Sequence, residues 1–548
     1  MKSISRIIVC SLFCIQASAT WDAETIHKID SVFTAFSTGD SPGCALGVYE
    51  GGRVLYSKGY GFANLDKGSR ISEESLFDLE SLSKHFTAMA IAILEERGRV
   101  VVTDGILKYL PELGHAYRQV TVEDLIFHRS GVRDYLAIAQ HSGLSEYFSV
   151  DEALGIIEKQ KGLNFPVGTH YQYSNSGYFL LPFIVARASG MAFPQFMQEE
   201  VFGPLGMTST HILNPATHGL AQLAIGYAEV PGGYLKDMTS LEMVGDGGVI
   251  TSVSDFAKWD ANFFDNHLGK GGPALIQRTL RRGLLQNGRE LEYAYGLRKG
   301  EYKGQPIVEH GGAFVGYRTN MIRFLDLGAT VTVLCNLHTA RPAEYAKRVA
   351  DLWLGAELVQ PDPTIPMDVP AMTLQQYTGK YRGEWFYGSD VADVRLENGG
   401  LKLNLAGIDY ALSARSAREF YMNEFPGVSL AFQECAERGD RCALQLVERG
   451  WDDAKLLRLP EFFPQACGSD AWAGTYQAAE IEQTAELNCV SGRWSLKFGS
   501  FEIALTPISS SALVGSIPGL GHVDLDFSRN RTEGFLFSTD EMRGIVFK

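Results

Sequence analysis

Apolar and polar positions divide the chain into two textures. In the first, Thr25 to Phe36 carries apolar residues at helical spacing and predicts an amphipathic helix. Cys44 to Tyr49 and Val54 to Lys58 flank Glu50-Gly51-Gly52 and predict a β-hairpin with a glycine turn. From Ser81 to about residue 210 the pattern is mostly helical, with Pro and Gly breaks. Ser81 to Ile91 reads as the first turns of a buried helix, and Gly98 stands where its C-terminal cap is expected. Thr121 to Gly131 opens with a capping residue and ends in a loop. Gly203-Pro204-Leu205-Gly206-Met207 closes another helix with a turn. Ile307 to Ala313, Tyr317 to Leu325 and Gly328 to Leu337 read as strands. A hairpin, a long helical insertion and further antiparallel strands predict an α+β fold with helices packed on a sheet.

Past Val359 the texture changes. Pro361, Pro363, Pro366 and Pro370 mark a linker, after which helical periodicity vanishes and short alternating strands dominate. Val394 to Leu403 is a hairpin around Asn398-Gly399. This half repeats: Tyr377-Thr378-Gly379-Lys380-Tyr381 matches Trp472-Ala473-Gly474-Thr475-Tyr476, and each precedes a glycine-turn hairpin. The second hairpin, Leu487 to Phe498, turns at Ser491-Gly492. Two repeats predict two small antiparallel β-barrels, divided near Pro460 to Cys467. The expected domains are therefore 20–360, 361–464 and 465–548.

Residues 1–19 have the pattern of a secretory signal. Lys2 and Arg6 precede a short apolar core, Ile7 to Ile15, and Ala17-Ser18-Ala19 is a small-residue cleavage site. Cleavage after Ala19 places the chain in the periplasm or outside the cell. No later stretch is long and apolar enough to span a membrane. Six cysteines then remain, and export permits disulfides. Cys435 with Cys442, and Cys467 with Cys489, are the expected pairs, whereas Cys44 and Cys335 lie in apolar runs and read as buried thiols. None has C-x-x-C spacing, so no zinc site is expected. The net charge of −15 argues against nucleic acid and anionic membrane surfaces as partners. Gly245 to Ser252 lacks the spacing of a phosphate cradle and reads as close backbone packing before a helix.

The candidate chemistry starts with Ser81 and Lys84, three apart on one helical face. A serine hydroxyl is a weak nucleophile until a neighbour takes its proton. A lysine can do so when burial leaves it neutral, and Lys84 stands inside an apolar run. Tyr173-Ser174-Asn175 and His310-Gly311-Gly312 follow in order. His128 reads as structural, because nothing near it in sequence completes an acid–base pair.

The ordered set resembles the serine β-lactamase and penicillin-binding superfamily, specifically its class C branch, over roughly residues 22–355. Tyr60-Gly61-Phe62-Ala63-Asn64, His128-Arg129-Ser130-Gly131, Tyr173-Ser174-Asn175-Ser176-Gly177 and Pro204-Leu205-Gly206-Met207 add to the resemblance. Tyr421-Met422-Asn423 and Lys270-Gly271-Gly272 fit two of the motifs but stand in barrel and loop contexts, and are taken as decoys. The resemblance implies a β-lactamase-like antiparallel sheet with a helical subdomain, followed here by two lipocalin-like barrels. It implies Ser81 as the acylated nucleophile and Lys84 as base or relay. Tyr173, a phenol of depressed pKa beside Lys84, would shuttle the proton to the leaving group. Asn175 would bind the substrate amide, and the N–H groups of Ser81 and Ala313 would hold the oxyanion.

One departure bears on substrate. The family's third motif is commonly K-T-G, and here it is His310-Gly311-Gly312. A lysine carries a full charge for a substrate carboxylate, whereas histidine is largely neutral at pH 7. H-x-G followed by two barrels is similar to the D-aminopeptidases. The expected activity is hydrolysis of a small-molecule or peptide substrate, a D-amino-acid peptide, amide or ester, with no cofactor or metal. The alternatives are a broad carboxylesterase, a β-lactamase or D-Ala-D-Ala carboxypeptidase of the same fold, and a non-catalytic peptidoglycan or β-lactam sensor. The complete Ser81, Lys84 and Tyr173 set weighs against a pure sensor, which needs no proton relay.

Overall fold

The strands on either side of the helical insertion meet in one antiparallel sheet. The computed structural model describes residues 21–37, 39–142, 148–359, 367–382, 391–405, 408–423, 428–433, 443–448, 454–459, 472–499, 501–509, 511–517, 521–528, 534–539 and 542–548. The hairpin is formed by β1 (Cys44–Glu50) and β2 (Arg53–Tyr60). Gly51 and Gly52 make its turn at φ 55° and 78°, a backbone region that suits glycine. β3 (Arg298–Tyr302), β4 (Gln305–Phe314), β5 (Tyr317–Phe324) and β6 (Ala329–Cys335) return from far along the chain. The order across the sheet is β3-β4-β5-β6-β1-β2.

The β6–β1 pairing sets Cys44 opposite Cys335. The two are joined in a disulfide, with Cα atoms 4.0 Å apart, so the expectation of two buried thiols is corrected. Both lie in apolar runs because they sit in the sheet interior, and antiparallel register brings their side chains together. Cys489 is also disulfide-bonded. Its expected partner Cys467 lies outside the described residues, as do Cys435, Cys442, residues 1–19 and linker residues 361–366.

One face of the sheet is covered by α1 (Ala23–Val32) and α6 (Pro342–Leu354), through Ile29, Phe33, Ala346 and Val349. The other face carries the helical insertion. Its centre is α2 (Lys84–Glu96), in which every residue from Lys84 to Leu94 is buried. A helix that is apolar all round must be packed on all sides. The insertion also supplies α3 (Val122–Ile126), capped reciprocally by Thr121 and Asp124, then α4 (Asn175–Ser189) and α5 (Val253–Ala261). The glycine stretch before α5 packs closely: a Cβ on Gly245 would lie 2.3 Å from Pro182 Cγ.

The second half folds as two eight-stranded antiparallel units. The first, from Gly379–Arg382 to Ala454–Arg458, is a closed barrel in which Tyr381 stands opposite Arg458. The second, from Gly474–Ala478 to Ile545–Phe547, is nearly closed: Gln477 and Lys548 exchange backbone hydrogen bonds of 2.9 and 3.0 Å. The sequence repeat is a structural one. Tyr381 Oη donates to Tyr377 O and Tyr476 Oη donates to Trp472 O, each at 2.8 Å. Both hairpins turn on paired positive φ angles, at Asn398-Gly399 (52° and 80°) and Ser491-Gly492 (52° and 78°). Among the described residues, no single helix is long and apolar enough to cross a membrane.

Candidate active site

Burial of α2 carries Lys84, its first residue, into the protein with no exposed surface. Ser81 sits one turn earlier, half-buried, in the 3₁₀ turn Glu80–Ser83. Lys84 Nζ contacts Ser81 Oγ at 3.0 Å, Asn175 Oδ1 at 2.9 Å and the Asp246 carbonyl at 2.7 Å. Burial pushes the amine down from 10.5 to about 8, and the carboxyls of Asp246, Asp134 and Glu80 oppose that shift. A neutral amine has two N–H bonds and one lone pair. The two carbonyl oxygens can only accept, so both N–H bonds go to them. The lone pair is thereby turned to the Ser81 hydroxyl.

The turn carrying Ser81 is clamped from both sides. Leu79 N–H donates to Val249 O at 2.9 Å, and Ser83 Oγ accepts from Val249 N–H at 3.0 Å. Leu79 O accepts from Thr319 Oγ1 on β5 at 2.8 Å. Glu80 holds a left-handed φ of 52°, and its N–H donates to Asp78 Oδ1 at 2.9 Å. That conformation is unusual for a residue with a Cβ. β3 pairs with β4 only as far as Glu309, so residues 310–314 run on beside the turn. The approach there is close enough to require glycine: a Cβ on Gly312 would lie 2.0 Å from Leu79 O and 2.9 Å from Glu80 Cβ. Ala313 and Phe314 line the same cleft as Ser81 and Asn175.

Tyr173 and Asn175 arrive on the segment that leads into α4. Asn175 N–H donates to Asp134 Oδ2 at 2.5 Å. Its side-chain carbonyl is committed to Lys84, which leaves the NH₂ end to donate. Lys84 Nζ lies 4.8 Å from the Tyr173 ring centroid. The phenol is pushed up by burial, not depressed, although the Ser81 hydroxyl acts to lower it. Lys84 sits over the ring face, where it meets the π-cloud. Beneath Tyr173 lies His128, with ring centroids 4.3 Å apart. His128 has a φ of 53°, and its Nδ1 accepts from Ser174 N–H at 3.1 Å. Burial holds this imidazole far below its ordinary pKa, so it props the tyrosine as a neutral ring.

His310 is buried, with both ring nitrogens engaged. Nδ1 meets the Gly311 carbonyl at 2.7 Å and Nε2 meets Tyr293 Oη at 3.0 Å. A carbonyl only accepts, so Nδ1 carries the hydrogen and Nε2 accepts from the tyrosine. Burial, with Lys84 adding to it, pushes the imidazole down to about 3. His310 therefore presents no charge to the cleft.

Several site residues escape the motif reading. Asp134 and Tyr135 hold Asn175 and Asp246, the latter by a Tyr135 Oη to Asp246 Oδ2 hydrogen bond of 2.9 Å. Asp246 lies within the stretch Gly245 to Ser252, whose glycines signal only close packing. Among the described residues, three carboxyl side chains line the cleft: Asp78, Glu80 and Asp246. Burial raises all three, Asp78 to about 6 and Glu80 well above the usual carboxylate range.

Comparison with known proteins bears on the family and the fold. The family model described as Beta-lactamase matches residues 29–352. Penicillin-binding protein 4* of Bacillus subtilis (strain 168) is 30% identical over 384 residues, spanning 65% of this chain and 82% of that protein. The D-aminopeptidase of Gluconobacter oxydans (strain 621H) is 27% identical over 450 residues, spanning 81% of this chain and 80% of that one. The octameric penicillin-binding protein homologue from Pyrococcus abyssi shares the fold with a TM-score of 0.53 at 20% identity, over 87% of this chain and 98% of that one.

Proposed function

Because the chain belongs to the beta-lactamase family and is a serine hydrolase of that fold, we propose that it is an exported enzyme that acylates Ser81 and releases amines from D-aminoacyl peptides or amides. The observation that carries this reading is the threefold engagement of Lys84. Neutral Lys84 takes the Ser81 proton as Oγ attacks the substrate carbonyl. The N–H groups of Ser81 and Ala313 hold the developing oxyanion. Tyr173, whose burial keeps its phenol protonated, gives that proton to the leaving amine and is resupplied from the Lys84 ammonium. Water then enters and the same groups run in reverse, releasing the acid and restoring Ser81. Asn175 orients the scissile amide with its NH₂ group.

The substrate reading rests on charge. A penicillin or a D-Ala-D-Ala end presents a carboxylate, whereas His310 is neutral and the cleft is lined by the carboxyls of Asp78, Glu80 and Asp246. Asp78, whose pKa of about 6 leaves it ionised at pH 7, suits a free α-ammonium group better. The D-aminopeptidase relatives add the preference for the D configuration. Export is supported by the signal-like residues 1–19 and by the Cys44–Cys335 disulfide, a bond typical of oxidising compartments.

A panel of p-nitroanilides tests the reading: D-aminoacyl, L-aminoacyl, N-acetyl-D-aminoacyl and carboxylate-ended peptides. The free-amine D substrates should lead in kcat/KM, and Ser81→Ala should lose at least about a thousandfold. Faster turnover of carboxylate-ended substrates refutes the assignment of substrate. Residual activity above that level in Ser81→Ala refutes the nucleophile.

A further inference from the structure

The second barrel reaches the back of the active site through one buried ion pair. Arg133 belongs to the helical insertion, and only 4% of its side chain is exposed. Its Nη1 meets Glu480 Oε2 at 2.6 Å. Glu480 stands in the turn between the first two strands of the second barrel, Gly474–Ala478 and Gln483–Val490. Gln160 binds both partners, accepting from Arg133 Nη1 at 2.9 Å and donating to Glu480 O at 3.2 Å. A second barrel segment joins in, since Arg133 Nε donates to Arg543 O at 3.2 Å.

Three consecutive residues then divide the work. Arg133 holds the barrel, and its carbonyl accepts from Ser176 Oγ at 2.7 Å. Asp134 uses Oδ1 to cap the helix Tyr135–His141, and Oδ2 to accept from Asn175 N–H. Tyr135 reaches Asp246. Asn175 and Asp246 supply the two carbonyls that aim the Lys84 lone pair at Ser81. The path from barrel to nucleophile thus runs through hydrogen bonds joined by the peptide links of residues 133–135 and by the backbone of Asp246, among buried or half-buried groups.

We propose that the second barrel is a positioning element for catalysis, acting through Glu480 and Arg133 on the Asp134–Tyr135 pair that fixes Asn175 and Asp246 around Lys84. The inference rests on the reading of Ser81 as nucleophile and Lys84 as base. Glu480 and Arg133 are positioning residues, since neither touches the reacting atoms. Losing Glu480 leaves a buried guanidinium without its partner, and such a charge moves or draws in water. Lys84 is faced by Glu80 from its own turn, by Asp134 and Asp246 from the insertion, and by the neutral rings of His128 and His310. Water admitted there relieves the burial that keeps the amine low, and the rising limb of the pH–rate profile moves up.

The test uses the full chain and a fluorophosphonate that labels the active serine, with rates measured from pH 6 to 9.5. Changes along such a chain of contacts typically alter coupling by about two- to thirtyfold. Glu480→Ala is expected to slow labelling at pH 7 about tenfold and to move the rising limb upward by about half a pH unit or more. If that variant does not fold, Arg133→Met with Glu480→Ala removes both charges, a replacement that buried pairs usually tolerate. The double variant severs the Arg133 link to the barrel and leaves the space of the Glu480 side chain open to water, so the same upward limb is expected. Wild-type protein that fails to label at Ser81 overturns the premise and the inference together. Wild-type labelling at Ser81, with a variant that matches it in rate and limb, overturns the inference alone. So does a slower rate with the limb unmoved, the mark of a merely structural contact.

Discussion

If Lys84 is the base, pH should report it with a slope and a midpoint fixed by burial. At the ordinary lysine value of 10.5, about one amine in 3,000 is neutral at pH 7; at about 8, it is about one in ten. Burial thus enriches the reactive form by about 300-fold, equivalent to about 3 kcal/mol. The rate of Ser81 labelling should rise about tenfold per pH unit below pH 8 and level off above it. Lys84→Met should abolish the limb together with most of the rate. The same shift has a cost in stability. A buried lysine with a lowered pKa binds fewer protons folded than unfolded between about pH 8 and 10.5. Stability of the wild type therefore rises with pH across that window, and below it the full penalty of about 3 kcal/mol is present. Met at position 84 removes that penalty, and the hydrogen bonds it forfeits, each about 1 kcal/mol, do not depend on pH. The gap in unfolding free energy, Lys84→Met minus wild type, should therefore fall by about 3 kcal/mol from pH 7 to 10.5, with wild type the more stable at the alkaline end. Denaturant unfolding of the β-lactamase-like half, followed by a probe confined to it, measures that gap. A flat labelling profile from pH 6 to 9, a limb near 10.5, or a gap indifferent to pH would refute the reasoning.

Two substitutions on β4 test the wall beside the nucleophile. Gly312→Ala puts a Cβ about 2.0 Å from Leu79 O, so the turn bearing Ser81 must shift. The expected cost is about 1–3 kcal/mol in thermal unfolding, with labelling slowed more than stability alone explains; unchanged labelling would show that the turn has slack. His310→Lys should slow labelling and leave the preference for carboxylate-ended substrates unmoved. Both His310 nitrogens serve Gly311 and Tyr293, and the new charge would be buried near Lys84. A shift of kcat/KM toward those substrates would instead make position 310 a reader of the substrate's tail.

What the sequence determined by itself about this protein is what depends on neighbours along the chain. Ser81 and Lys84 meet because a helical turn brings residues three apart together, and an apolar helix must bury its lysine. The Asn398-Gly399 and Ser491-Gly492 turns and the doubled tyrosine motif were readable for the same reason. Tertiary structure decided the rest. Cys44 and Cys335 are 291 residues apart, and only the β1–β6 register makes them partners. The Asp246 carbonyl that aims Lys84 belongs to a backbone with no side-chain signature. His310 was readable as a neutral residue in a lysine's place, but its saturation by Gly311 and Tyr293 follows from how β4 packs. An expected lysine neighbour predicts a lowered pKa for Tyr173. The fold buried the phenol, and burial reverses the direction. Glu480 and Arg133 are separated by 347 positions and carry no motif. Burial and long-range register are properties of the packed chain, and no local pattern encodes which distant groups they bring together.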